Sequence, residues 1–271
     1  MNLLRNLALF FGVLLLSSCG SEADISLSLR RATWLSIDLT TGRPTPLAAA
    51  PDLRDPVWRR NRMLLRAITV PPVAVADDSW RAAGESSLVD SGPKFFIGVY
   101  EMTQQQWQVM GGGTPWTAVP AGTLAAGADG PDLPAYGIDR SSAERMLSAA
   151  PQVFGGWHLP TPAQWEAACR AGSTGRFAWG DAPDPAIAGR FAHASETAGS
   201  IGRHQTVGGL TANQLDLFDT HGNIAELDAA GNLRGGSWAD TIPALRCGIR
   251  VPIEADSAHV LAGVRAVFIV R

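Results

Sequence analysis

Patterned stretches in this chain are short, and glycine or proline ends most of them. Leu35, Ile37 and Leu39 alternate with polar residues as a half-buried strand does, and Thr41-Gly42 closes the run. Met63 to Val70 reads as a further strand and stops at Pro71-Pro72. Thr103, with Gln106 three positions on, forms a capping box opening a short helix through Trp107 and Met110, which Gly111-Gly112-Gly113 ends. Thr161-Pro162-Ala163-Gln164 repeats the device with proline at the first helical position, and that helix stops before Gly172. A chain with 29 Gly and 18 Pro punctuated in this way cannot build a helical bundle.

Ile25, Leu27 and Leu29 also alternate and read as a strand, as do Lys94 to Glu101 and Val264 to Val270. Ser141 to Ala150 predicts a helix with Ala143, Met146 and Leu147 on one face. Pro44 to Pro56 and Thr114 to Pro134 read as irregular chain. The strands are neither regular nor alternated with helices, so the expected class is α+β. No repeat or second linker divides the chain, and a single domain is expected.

Arg5 followed by the apolar run Leu7 to Leu16 is too short to span a bilayer comfortably and reads as a signal segment. It ends Leu16-Ser17-Ser18-Cys19-Gly20, similar to a bacterial lipoprotein signal, with Cys19 accepting the lipid; the alternative is an ordinary secretory signal with Cys19 as a structural thiol. The expected organisation is a signal peptide over 1–18, lipidated Cys19 and a tether over 19–31, and a domain over 32–271. Acyl chains would hold the protein on a membrane of the bacterial cell envelope. Gly20 after Cys19, by analogy with lipoproteins, points to the outer membrane. In such an oxidising compartment Cys169 and Cys247 most simply pair with each other. The alternative is a free reactive thiol, which needs a depressed pKa.

A formal charge of -3 with no basic stripe makes nucleic acid an unlikely partner. The glycine run at 111–113 has no Lys-Ser/Thr after it and is no phosphate loop. His158, His193, His204, His221 and His259 show no zinc-type spacing. Ser237 lacks the surroundings of a nucleophile elbow.

Several segments in order resemble the formylglycine-generating enzyme (sulfatase-modifying factor) family. They are Phe96 to Thr103, His158 to Arg170, Trp179-Gly180-Asp181, Asp219 to Glu226, Arg234-Gly235-Gly236-Ser237-Trp238, Leu245-Arg246-Cys247 and Gly263-Val264-Arg265. The resemblance implies a compact C-type-lectin-like fold. It implies a disulfide between Cys169 and Cys247. It also implies a calcium site on Asp219, Gly222, Ile224 and Glu226, against the alternative of a solvated loop with two unrelated acids. Active members oxidise a substrate cysteine with O₂ and copper held by two thiolates, and those two positions fall here on Asp240 and Ile242. Copper(I) wants soft sulfur, so no copper and no catalytic residue are expected.

The leading expectation is therefore a lipid-anchored, non-catalytic binding or assembly module. Its protein or peptide ligand would lie in a groove bordered by Ser237, Trp238, Asp240 and Arg246. The rival is an atypical metal-dependent oxidoreductase of the same superfamily. A third possibility is a structural envelope protein with no small-molecule site.

Overall fold

The computed structural model describes residues 21–69, 71–74, 88–197 and 199–271, so the signal segment and Cys19 lie outside the described residues. The elements run α1 (Glu22–Arg31), β1 (Trp34–Asp38), β2 (Pro44–Leu47), β3 (Arg62–Ile68), β4 (Val73–Ala74), β5 (Leu88–Val89), β6 (Phe95–Gly98), α2 (Gln104–Val109) and α3 (Arg140–Ala149). They continue with β7 (Gly155–His158), α4 (Pro162–Arg170), α5 (Pro185–Ala188), β8 (Ala225–Leu227), β9 (Asn232–Arg234), β10 (Val251–Pro252), β11 (Ala262–Gly263) and β12 (Val267–Val270). This is an α+β fold with modest regular structure. Among the described residues, no helix is long and apolar enough to cross a membrane.

An antiparallel sheet ordered β2-β1-β3-β6-β12-β7 forms the frame. Side chains alternate across a strand, so each strand feeds two cores. Leu35, Ile37, Met63, Leu65, Phe96 and Phe268 go to one face, and Trp34, Leu64, Ile68, Phe95, Ile97 and Val267 to the other. Each large apolar side chain buried this way contributes roughly 1.5–3 kcal/mol. A second sheet, β10-β9-β8-β11, carries the segments that build the site; its β8–β11 pair is parallel and its other pairs are antiparallel.

The first element departs from the sequence reading. Residues 22–31 form helix α1, because Ser21 and Asp24 cap it reciprocally: the Asp24 N–H donates to Ser21 Oγ at 3.3 Å and the Ser21 N–H to Asp24 Oδ2 at 3.1 Å. Ile25 and Leu29 lie one helical turn apart and face the main core, with Leu29 fully buried, while Leu27 points outward at 46% exposure. The Ser26 hydroxyl donates to the Arg271 carbonyl at 2.6 Å, and Lys94 Nζ donates to the carbonyls of Arg30 and Ala32 at 2.8 and 2.5 Å. α1 is thereby fastened to the body at its middle and at its C-terminal end.

Candidate metal centre

Helix α4 supplies the first sulfur. Its capping box is formed, with the Thr161 N–H donating to Gln164 Oε1 at 3.0 Å and the Gln164 N–H to Thr161 Oγ1 at 3.2 Å. One turn separates Trp165 from Cys169 and Glu166 from Arg170, so two inward stripes result. Trp165, Cys169 and Cys247 form one buried apolar cluster. Glu166 and Arg170 form a buried ion pair at 2.9 Å, with Arg234 and Arg250 nearby at 3.6 and 3.8 Å. Ala171, at φ 50°, ends the helix in the left-handed region.

The loop 219–223 supplies a histidine. Asp219, Gly222 and Asn223 all have positive φ, so the chain turns tightly about His221. A Cβ on Gly222 would lie 2.1 Å from the His193 carbonyl oxygen, and only glycine fits there. The buried Glu101 carboxylate holds the following residues, accepting from Asn223 Nδ2 at 2.6 Å and the Ile224 N–H at 2.9 Å. Burial, with Asp219 and Glu226 nearby, pushes the Glu101 carboxyl well above its ordinary range.

Cys247 follows a 3₁₀ turn over Ile242–Leu245. It is fixed by its N–H donating to the Arg176 carbonyl at 3.0 Å and by Arg234 Nη2 donating to its own carbonyl at 2.7 Å. Cys169 and Cys247 are joined in a disulfide with Cα atoms 5.8 Å apart, as the sequence expects. Both cysteines are fully buried.

His221 lies against this bridge. Its Nδ1 is 2.8 Å from the Leu245 carbonyl, which can only accept, so Nδ1 carries the proton. Nε2 is then the bare nitrogen; it accepts the Ala178 N–H at 3.2 Å and stands 3.6 Å from Cys169 Sγ and 3.8 Å from Cys247 Sγ. Burial lowers the His221 pKa to about 4, which keeps Nε2 unprotonated, with its lone pair occupied by the Ala178 N–H. Trp179, half-buried, packs edge-on to the His221 ring at 4.6 Å and stacks on Phe177 at 4.6 Å.

Cys169, His221 and Cys247 present one donor atom each, all within 4.8 Å of one another. Metal–sulfur bonds of about 2.3 Å and metal–nitrogen bonds of about 2.0 Å at a tetrahedral angle place sulfur and nitrogen about 3.5 Å apart. The observed separations need little change on that side. The two sulfurs must part, which requires the dithiol state. This geometry corrects the expectation that the chain lacks a cysteine pair suited to copper. Asp240 and Ile242 do occupy the positions after Ser237, but a soft pair with a histidine is assembled elsewhere, across α4, the 219–223 loop and Cys247. The expectation of no copper and of a non-catalytic binding module rested on that absence, and both are withdrawn with it.

The other expected residues are placed as follows. Glu226 already has a cation: Arg265 donates to it through Nε at 3.0 Å and Nη2 at 2.6 Å, and Trp165 Nε1 donates to its Oε2 at 2.6 Å. Asp219 Oδ2 accepts the Gly208 N–H at 2.6 Å, and burial raises the Asp219 pKa to about 6. Arg265 thus occupies Glu226, one of the four residues expected to hold calcium with Asp219, Gly222 and Ile224, whereas Asp219 Oδ1 has no hydrogen-bond partner among the described residues. Ser237 is buried, its hydroxyl donating to Asp240 Oδ2 at 2.7 Å, so this serine closes a turn. Arg246 is buried and donates through Nε to the Pro243 carbonyl at 2.6 Å. Gly236 and Asp240 line a cavity of about 300 Å³ with Ala225, Leu233, Val251 and His259. Ser237, Trp238 and Arg246 are not among its lining residues.

Sequence reasoning overlooks His221, because its sulfur partners lie 52 and 26 positions away and no local spacing marks it.

An α+β frame with a disulfide set beside a buried histidine defines a class that comparison makes specific. Residues 78–269 match the sulfatase-modifying factor enzyme 1-like domain, and the chain belongs to that family. It is similar to a formylglycine-generating enzyme of Mycobacterium tuberculosis, 38% identical over 109 residues covering 34% of this chain and 36% of the relative. The chain thus spans about a third of that relative's length. In fold it is similar to Treponema denticola variable protein 1 (TM-score 0.60, 19% identity, 76% of this chain and 95% of the other). It is also similar to PvdO from Pseudomonas aeruginosa (TM-score 0.60, 18% identity, 76% and 94%) and to CarF (TM-score 0.55, 17% identity, 76% and 99%).

Proposed function

We propose that this protein is a metal-dependent oxidoreductase of the sulfatase-modifying factor family, lipid-anchored through Cys19 in a bacterial cell envelope. The thiolates of Cys169 and Cys247 and His221 Nε2 would hold the metal once the disulfide is opened and the Ala178 N–H gives up that nitrogen. One observation carries the reading: a single unprotonated nitrogen stands within 3.8 Å of both sulfurs. Two thiolates and an imidazole form a soft donor set suited to copper(I). A dithiol reductant supplies the two electrons that break the S–S bond. The cysteine protons leave as metal binds, and the reductant becomes its own disulfide.

The chain's own residues prepare the site. The Leu245 carbonyl fixes the tautomer and the plane of the His221 ring, as outer partners of metal-bound imidazoles do. Trp165, Phe177 and Trp179 keep water from the sulfurs, which strengthens every polar contact inside. Bound copper would supply one-electron chemistry with dioxygen. The Mycobacterium tuberculosis relative is named a formylglycine-generating enzyme, so a cysteine within a peptide is the first substrate to test. The cavity beside Asp240 is the candidate seat for a peptide side chain.

The test is to reduce the full chain in detergent without oxygen, offer copper(I) against a competing chelator, and read the ligands by X-ray absorption. One copper per chain with two sulfur donors and one nitrogen donor is expected, lost in Cys169→Ser and Cys247→Ser. Uptake that ignores these substitutions, or no uptake at all, overturns the reading. Oxygen consumption with a cysteine-containing peptide then tests turnover.

A further inference from the structure

We infer that the corner formed by α1 and the C-terminal residue is the membrane-facing surface of the domain, seated on the bilayer with no flexible spacer. The inference rests on lipid anchoring through Cys19. Helix α1 starts at Glu22, and its capping residue Ser21 is already tied to Asp24 by two reciprocal bonds and by a hydroxyl–carboxylate contact of 2.8 Å. The described structure therefore begins two residues after Cys19, the position proposed to be acylated. Two residues reach about 7 Å at most, so the lipid attachment lies within a headgroup's depth of Ser21.

The helix cannot swing away to lengthen that connection. Leu29 is buried in the main core, Ser26 is bonded to the last carbonyl of the chain, and Lys94 holds the carbonyls of Arg30 and Ala32. Pulling α1 out would expose Leu29 and break three polar contacts together. The outer face of α1 suits an interface: Leu27 is exposed, and Arg30 and Arg31 are exposed in the last turn. An apolar side chain beside long cationic ones is the arrangement that lodges at the boundary of headgroups and acyl chains.

The occupant is a phospholipid bilayer, because the signal segment preceding α1 ends Leu16-Ser17-Ser18-Cys19, which places the acyl chains on Cys19. The four-stranded sheet and the cavity beside Asp240 belong to elements that α1 does not contact substantially; its main contacts are with β2 and β12.

The test uses the full lipidated chain in phosphatidylcholine vesicles containing brominated lipid. Leu27→Cys and, as the reference, Val251→Cys on β10 each carry an environment-sensitive fluorophore; Val251 is 50% exposed. Cys169 and Cys247, being bridged, do not compete for the label. Quenching at position 27 is expected to exceed that at 251 severalfold. Replacing Arg30 and Arg31 with Glu, on the same exposed face, should bring quenching at position 27 down toward the reference. Equal quenching at the two positions of the chain with Arg30 and Arg31 intact overturns the seat while the anchor stands. Mass spectrometry of the N-terminal peptide separates the other failure: an unacylated Cys19 overturns the anchor and the seat together.

Discussion

His221 and His204 are both buried, and burial lowers the pKa of each to about 4. Each sets one ring nitrogen on a carbonyl, Leu245 at 2.8 Å and Ala128 at 2.9 Å, and each ring meets an aromatic neighbour at 4.6 Å, Trp179 and Tyr136. The difference lies at the second nitrogen. For His221 it faces two sulfurs and the Ala178 N–H, whereas His204 Nδ1 has no partner among the described residues. Burial and a locked tautomer are therefore not enough to make a metal ligand. What stands within reach of the second nitrogen decides, and that is a property of the fold.

The strongest way to break this contrast is to remove the sulfurs. Cys169→Ser with Cys247→Ser opens a loop of 78-residue separation and should cost about 4 kcal/mol in urea unfolding. The same variant should retain no copper when reduced. If it does retain copper, His221 is no more privileged than His204.

Acidification probes the other side. His204 stays neutral in the folded chain, while the unfolded chain takes up its proton below about 6.5. Its contribution is present above pH 6.5 and is lost as pH falls toward 4, by up to about 3 kcal/mol. Unfolding midpoints across that window should slope for the parent chain and flatten by this amount in His204→Phe. An unchanged slope would mean that His204 does not titrate there.

His221→Phe sharpens the comparison at constant shape. Copper affinity of the reduced chain should fall about 10–100-fold or more, the range seen when even an outer partner of a metal ligand is lost. Competition with a chelator measures it. The smallest effect belongs to His204→Phe at neutral pH: losing one bond to the Ala128 carbonyl should cost about 1 kcal/mol, with copper affinity unaltered.

Local chemistry was legible along the chain where neighbours in sequence decide the outcome. The capping boxes at Thr103 and Thr161 form as their residue types require, and the Gly172 stop agrees with the left-handed Ala171 just before it. The order of motifs from Phe96 to Arg265 was enough for the family and for the Cys169–Cys247 bridge. Ile25, Leu27 and Leu29 misled, because residues 25 and 29 satisfy a helical turn as well as a strand's alternation, and the Ser21–Asp24 cap settles it. The soft site was missed for a different reason. Sulfur was sought at Asp240 and Ile242, by position along the chain, whereas the donors converge from three distant segments. Arg265 filling Glu226 was equally hidden, since the pair lies 39 residues apart.

The bond from Ser26 to Arg271 makes neighbours of helix α1 and the last residue of the chain. Any protein or reporter fused after Arg271 would emerge beside helix α1. Detection tags and display fusions are better inserted in the mostly exposed 120–127 turn region.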